Sequence, residues 1–265
     1  MSFTPVIPMG GYAGWRFLNR TMEQQSASLA ASPSLQRDMA YFRETIGSVT
    51  STEELVKDYR LLRVSLTAFG LQDDLPNKYF IQRILEDGVV EEDALSNRLA
   101  DKRYREFSEA FGFGTGLPPL SRLPGFADRI LDRFQAQSFE QAVGEVDGDM
   151  RLALNAAREL PELAAEGGKN STLWFRIMGN TPLREVFETA FGLPSSVGTL
   201  DLDRQLGIFQ ERAEDMLGSS DIAQFTDPER MDELMRQFLA RAQLNQVPAT
   251  TTSASIALVL LQGGG

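Results

Sequence analysis

The chain has 265 residues, with 26 lysines and arginines against 37 aspartates and glutamates and a formal charge of −11. Such a surface repels phosphate backbones and anionic lipid, so neither nucleic acid nor a membrane is expected as a partner. Cysteine and histidine are both absent, which excludes disulfides, thiol nucleophiles, Cys- or His-based metal sites and every triad or zinc motif built on imidazole.

Taken in chain order, residues 1–12 are rich in proline and glycine and are expected to form an extended tail. Pro5 and Pro8 interrupt the apolar stretch and no basic start precedes it, so a secretory signal is not expected. Large aromatics are ordinarily core, but Tyr12, Trp15 and Phe17 stand close to the terminus and are candidates for a partner-binding anchor. Ser32 followed by Pro33 has the order of a helix start. Leu35, Met39, Phe42 and Ile46 then make one apolar stripe. Ser51 and Glu54 form a capping box for a helix that buries Leu55, Tyr59, Leu62, Leu66 and Phe69 and stops at Gly70. Helices around Phe80–Leu85, Leu95–Leu99 and Tyr104–Phe111 follow. The basic run at Lys102, Arg103 and Arg105 has acidic neighbours and reads as a solvated helix face.

Residues 112–125 are dense in glycine and proline and are expected to be a connector. GFGTG at 112–116 lacks the following Gly-Lys-Ser/Thr of a phosphate loop and reads as a turn. Ser138 with Gln141 predicts another helix start, and Met150–Leu163 another helix. The acids at 145–149 lack the twelfth-position glutamate of a calcium loop and suit a helix N-terminus. In Asn170-Ser171-Thr172, Ser171 or Thr172 is expected to cap the helix carrying Leu173 and Trp174. A second copy of the earlier signature then appears. LLRVSLTAFGL at 61–71 and LREVFETAFGL at 183–193 share seven of eleven residues, and the second copy opens on Thr181 and Pro182. Amphipathic helices over Leu202–Met216 and from Asp227 to Ala242 follow. The last stretch, 246–265, is uncharged and β-prone, and Ile256, Leu258, Leu260 and Leu261 are candidate partner contacts. No apolar run approaches the ~20 residues of a spanning helix.

These elements predict an all-α fold. It comprises two similar multi-helix lobes from an internal duplication, with irregular N- and C-terminal tails. The expected divisions are a tail at 1–12, a first lobe at 13–111, a connector at 112–125, central helices with the second lobe at 126–245, and a tail at 246–265. No catalytic, cofactor-binding or metal-binding residues stand out and no cofactor is expected. The protein is expected to be a soluble, cytoplasmic non-enzyme that works by contact.

The segments GYAGWRFL, SPSLQRDMAYFRETIGSV, NRLADKRYREFSEAFGFG, DMRLALNAARELPELA and WFRIMGNTPLREVFETAFGLP resemble a family without an assigned function, domain of unknown function 1217. It occurs largely in alphaproteobacteria, often among flagellar genes, and the resemblance spans roughly residues 10 to 245. It implies a flagellum-associated role in assembly or regulation, with other flagellar proteins as partners, and carries no catalytic residues across. The alternative is an exported structural component of the basal body, reaching it without a cleaved signal peptide. A hydrolase using carboxylates alone is the lesser alternative, and it requires acids converging in a pocket that raises their pKa.

Overall fold

The computed structural model describes residues 3–246. Among these it contains thirteen α-helices, six short 3₁₀ turns and no strand. The first half comprises α1 (Gly11–Ala30), α2 (Pro33–Thr45), α3 (Thr52–Lys57), α4 (Tyr59–Ala68), α5 (Lys78–Asp87), α6 (Leu95–Arg98) and α7 (Arg103–Phe111). The second comprises α8 (Phe126–Gly144), α9 (Gly148–Glu166), α10 (Asn170–Gly179), α11 (Thr181–Phe191), α12 (Leu202–Leu217) and α13 (Pro228–Gln246).

Local chemistry fixes most of the starts. Ser51 Oγ accepts from Glu54 N–H at 3.2 Å, while Glu54 Oε2 reaches back to Thr50 N–H at 2.7 Å. This is the predicted capping box, its return bond shifted by one residue. The helix predicted beyond it is two helices. Asp58 Oδ1 accepts from Arg60 and Leu61 N–H at 2.9 Å each and restarts the chain as α4. Asn180, rather than Thr181, caps α11 through Leu183 N–H at 3.1 Å. Ser138 starts nothing, because α8 runs unbroken past it. Pro161 lies inside α9 without ending it. Asn170, and not Ser171 or Thr172, is the working residue at the start of α10. Its amide donates to Ser220 C=O at 2.9 Å and accepts from Ile222 N–H at 3.0 Å, fastening α10 to the turn before α13.

Both copies of the repeated signature end the same way. Gly70 and Gly192 adopt left-handed backbone with φ of 67° and 63°. Leu71 N–H bonds Leu66 C=O at 2.9 Å and Leu193 N–H bonds Glu188 C=O at 2.8 Å, so each helix closes in a Schellman turn that a Cβ would strain. The matching letters record this shared closure.

The apolar stripes assemble into two cores. The first gathers α2–α5, α7 and the first half of α8, around Phe42, Phe107, Phe111 and Phe126. The second gathers α1, the last part of α8 and α9–α13, around Trp174, Phe187, Phe209 and Phe225. One helix therefore serves both: Ile130 and Phe134 of α8 point into the first core, Phe139 and Val143 into the second. Helix α1, assigned to the first lobe from its place in the chain, puts Trp15 and Leu18 into the second core. Its apolar face meets mainly α13, α8 and α9, and only its end, at Leu29, also touches the first core.

Of the predicted basic surface run, Arg105 is exposed as expected, while Lys102 and Arg103 are structural. Arg103 Nη1 donates to Gly70 C=O at 2.6 Å, placing a cation at the C-terminus of α4, and Lys102 N–H bonds Gly179 C=O at 2.9 Å, joining α7 to α10. Residues 3–10 precede α1, which begins at Gly11 inside the stretch expected to be a tail, and they are held along that helix. Val6 N–H and C=O bond the side-chain amide of Gln25 at 2.7 and 3.2 Å, and the Phe3 ring sits 6.2 Å from that of Phe139.

This return of the chain depends on Gly14, where an added Cβ would stand 1.9 Å from the Met9 carbonyl oxygen. Gly14→Ala is expected to cost about 1–3 kcal/mol through overpacking and to lower Tm by roughly 2–10 °C. Gly47→Ala, whose Cβ meets nothing within 4 Å, should leave Tm unchanged or raise it. Differential scanning calorimetry of the two variants checks both.

Candidate functional site

Two concavities flank the crossing of α8 and α9, and one ion pair separates them. Glu140 of α8 is 5% exposed. It receives Arg158 of α9 through both oxygens, with Nε–Oε1 at 2.7 Å and Nη2–Oε2 at 3.2 Å. Arg158 also reaches Glu159 at 3.2 Å. Glu159 in turn accepts from Asn155 Nδ2 at 2.9 Å and Asn180 Nδ2 at 2.7 Å. Burial pushes the Glu140 carboxyl above its ordinary range, and the Arg158 hydrogen bond and charge oppose that shift. Burial works against the Arg158 charge as well, but Glu140 and then Glu159 outweigh it and hold the guanidinium protonated.

On one side lies a polar cleft of about 280 Å³ between the two cores. Phe69, Ala110, Leu163 and Leu183 give it apolar patches. Its charges are five glutamates (106, 109, 159, 162 and 166) against three arginines (133, 158 and 176). Arg176 pairs with Glu166, and Arg133 lies 5.1 Å over the Phe69 ring. Glu106 is raised above the ordinary carboxylate range, first by desolvation and then by the charge of Glu159. The cleft therefore holds a carboxyl group shifted toward its protonated form. It offers neither thiol nor imidazole, and no cluster of three metal-ligating side chains occurs among the described residues.

On the other side, α1, α8 and α9 enclose a groove of about 340 Å³. Its walls are Trp15 and Met22 from α1, Ala136 and Phe139 from α8, and Leu154 and Ala157 from α9. Asn19, Glu23 and Ser26 lie along the α1 wall, and the Glu140–Arg158 pair closes the side toward the cleft. Arg158 lines both concavities.

The aromatic residues singled out near the N-terminus occupy three different settings. Trp15 is only 4% exposed. It belongs to the second core and also lines the groove, so it is an anchor within the fold rather than a free outward one. Tyr12 is half-buried and donates its hydroxyl to Asp232 at 2.5 Å, tying α1 to α13; that hydrogen bond raises its pKa. Phe17 is half-buried and does not line the groove. Ile256, Leu258, Leu260 and Leu261 lie outside the described residues. Sequence reasoning did not single out Met22, Glu106, Glu140 or Arg158. Spacing carried a signal for some of them: Trp15, Asn19, Met22 and Ser26 recur at steps of four, three and four, and so do Glu159, Glu162 and Glu166 at three and four, each set marking one helix face.

A model of a protein family described as a protein of unknown function, DUF1217, matches residues 68–231, more than half of the chain. The chain belongs to the DUF1217 family. The acidic cleft lies wholly inside the matched span, whereas the α1 wall of the groove lies outside it. The chain is also similar to the X-ray crystal structure of a protein from Agrobacterium tumefaciens, a structural genomics target. The TM-score is 0.73 at 24% identity, covering 92% of this chain and 99% of that one. At that identity the likeness speaks for the all-helical fold alone. No curated protein matches the chain.

Because the fold raises the Glu106 pKa, the stability linked to this group is present below the ordinary carboxylate pKa and is lost as pH rises through the raised value. Glu106→Gln is therefore expected to raise Tm at pH 7 by roughly 1–2 °C, the scale of a solvent-facing change. It should match the native protein below the ordinary carboxylate pKa. Thermal melts from pH 3 to pH 8 read the difference.

Proposed function

We propose that this member of the DUF1217 family is a non-enzymatic protein of the flagellar system that acts in assembly or regulation by binding other flagellar proteins. The observation that carries the contact reading is the groove between α1, α8 and α9. It is walled by aliphatic and aromatic side chains in a chain whose surface is otherwise strongly acidic. A groove of this kind suits the apolar face of a partner helix or segment. The flagellar part of the proposal rests on the family resemblance seen in the sequence.

A second reading has one observation in its favour. The inter-lobe cleft gathers carboxylates and shifts one of them, Glu106, toward the protonated form, which is the requirement of chemistry using acids alone. Against it, two of the five glutamates are engaged by arginines. Such ion pairs orient carboxylates as structural ties.

Two measurements separate these readings. Full-length protein used as bait in extracts of motile cells should retain flagellar components. Ala157→Lys, which places a charge in the groove, should lose most of that capture while keeping its Tm within a few degrees, since Ala157 is half-buried and surface changes cost about 0.5 kcal/mol or less. Glu106→Gln should retain it. Deleting the gene should impair swimming; normal flagella and motility in the deletion strain would defeat the proposal. Cell fractionation then distinguishes an assembly factor, found in the soluble fraction, from an exported component recovered with basal bodies.

A further inference from the structure

A third hollow opens where α4 and α7 of the first core meet α9 of the second. It is a crevice of about 40 Å³. Gly70, just past α4, and Arg103 of α7 line one side. Gln137 and Glu140 reach it from α8, and Arg151 and Asn155 from α9. We infer that this crevice is a site for one ordered water molecule, which donates a hydrogen bond to Asn155 Oδ1 and bridges α9 to the facing wall.

The Asn155 oxygen carries the inference. Asn155 is 6% exposed, and its Nδ2 donates to Glu159 at 2.9 Å. Its Oδ1 is buried and has no hydrogen-bond partner among the described residues. A buried acceptor without a donor bears its full desolvation penalty, and native folds supply the donor from protein or from water. Turning the amide over does not help. It would set the oxygen against the Glu159 carboxylate and orphan the nitrogen instead, so the bond to Glu159 fixes the orientation.

Size and polarity select the occupant. A water needs about 10–15 Å³ of such space and a few polar partners, and its share of liquid volume is about 30 Å³. The crevice meets that need and is too small for a larger organic molecule. The occupant must donate to Asn155 Oδ1, which excludes a bare anion. Arg158 already neutralises Glu140, and Asp101 neutralises Arg103, so the further guanidinium of Arg151 repels a cation. A neutral molecule that both donates and accepts suits every wall, and at this size it is water. Asn155 and Glu140 both belong to the network at the α8–α9 crossing. The water extends that network from α9 toward the glycine closure at Gly70.

Crystals of the full-length native protein diffracting to about 1.8 Å should show a density peak within about 3.2 Å of Asn155 Oδ1 and of a second polar atom of the crevice wall. In solution, cross-relaxation between water and the Asn155 side-chain amide protons should carry the sign of a bound molecule. Asn155→Leu, which removes the acceptor, should lose the peak. Soaks in rubidium or bromide test the other two chemistries, and an anomalous peak in the crevice from either ion would assign it to a cation or an anion and overturn the inference. The absence of either signal in the native protein overturns it as well, as does a peak that persists unchanged in Asn155→Leu. The native measurements decide the matter even where that variant fails to fold.

Discussion

The Glu140–Arg158 pair is the constraint around which the molecule is arranged. It sits where α8 crosses α9, and α8 is the helix that both cores share. Two ionised groups at that depth are costly to desolvate, and the cost is offset only when geometry is tight and remaining hydrogen-bond capacity is used. Here the fork of Arg158 takes both oxygens of Glu140. Glu159, itself held by Asn155 and Asn180, takes the rest. The value of such a pair lies in specification, since α8 and α9 can slide or rotate only by separating two buried charges. Because α8 carries Phe134 into one core and Phe139 into the other, fixing its register against α9 also fixes the relation of the two cores.

The same pair divides the surface into two chemically opposite hollows. Toward the cleft, Arg158 is one cation among an excess of glutamates, and each added carboxylate raises the cost of ionising the next. That is why Glu106 feels Glu159. Toward the groove, the charges of Glu140 and Arg158 neutralise each other, and the rest of the wall is aliphatic and aromatic apart from Asn19, Glu23 and Ser26 along α1. An apolar segment can lie against a satisfied ion pair at little cost, whereas an unpaired charge there would exclude it. The polarity of the groove thus follows from the pairing and not from an absence of charge.

How much of this was legible in the sequence depends on range. Chemistry within four or five residues could be read directly: the Ser51–Glu54 box, the Pro33 start, and the glycine closures at 70 and 192 all appear in the structure. Asp58 shows the limit. Its cap breaks the predicted stripe and leaves Tyr59, expected on the buried face, 59% exposed at the start of α4, so the stripe alone predicts one helix where there are two. Ser138 shows the converse, since a box pattern in a helix that is already buried on one face has no end to cap. The site was illegible because it is built from helices distant in the chain. Nothing in the spacing of α1 says that Trp15 faces Leu154 and Ala157, and nothing local distinguishes Arg158 from a solvent-facing arginine. Its partner Glu140 is 18 residues away and is selected by the way α8 and α9 cross.

The repeated signature carries this argument one step further. In both copies a helix stops at a left-handed glycine, and in both an arginine from a later helix arrives at that stop. Arg103 of α7 donates to the Gly70 carbonyl at 2.6 Å, and the Arg241 guanidinium of α13 lies 2.1 Å from where a Cβ on Gly192 would be. Glycine is therefore required at each site for its backbone angle, and at Gly192 it also leaves room for the cation near the negative end of the helix. The neighbours differ: α4 packs mainly on α8 and α2, whereas α11 packs on α13 and α9. A motif repeated at this level specifies how a helix ends and what charge meets it. The surroundings of each copy decide whether that ending borders the acidic cleft, as Phe69 beside Gly70 does, or stays exposed beside the Arg241 side chain of α13, as Gly192 does.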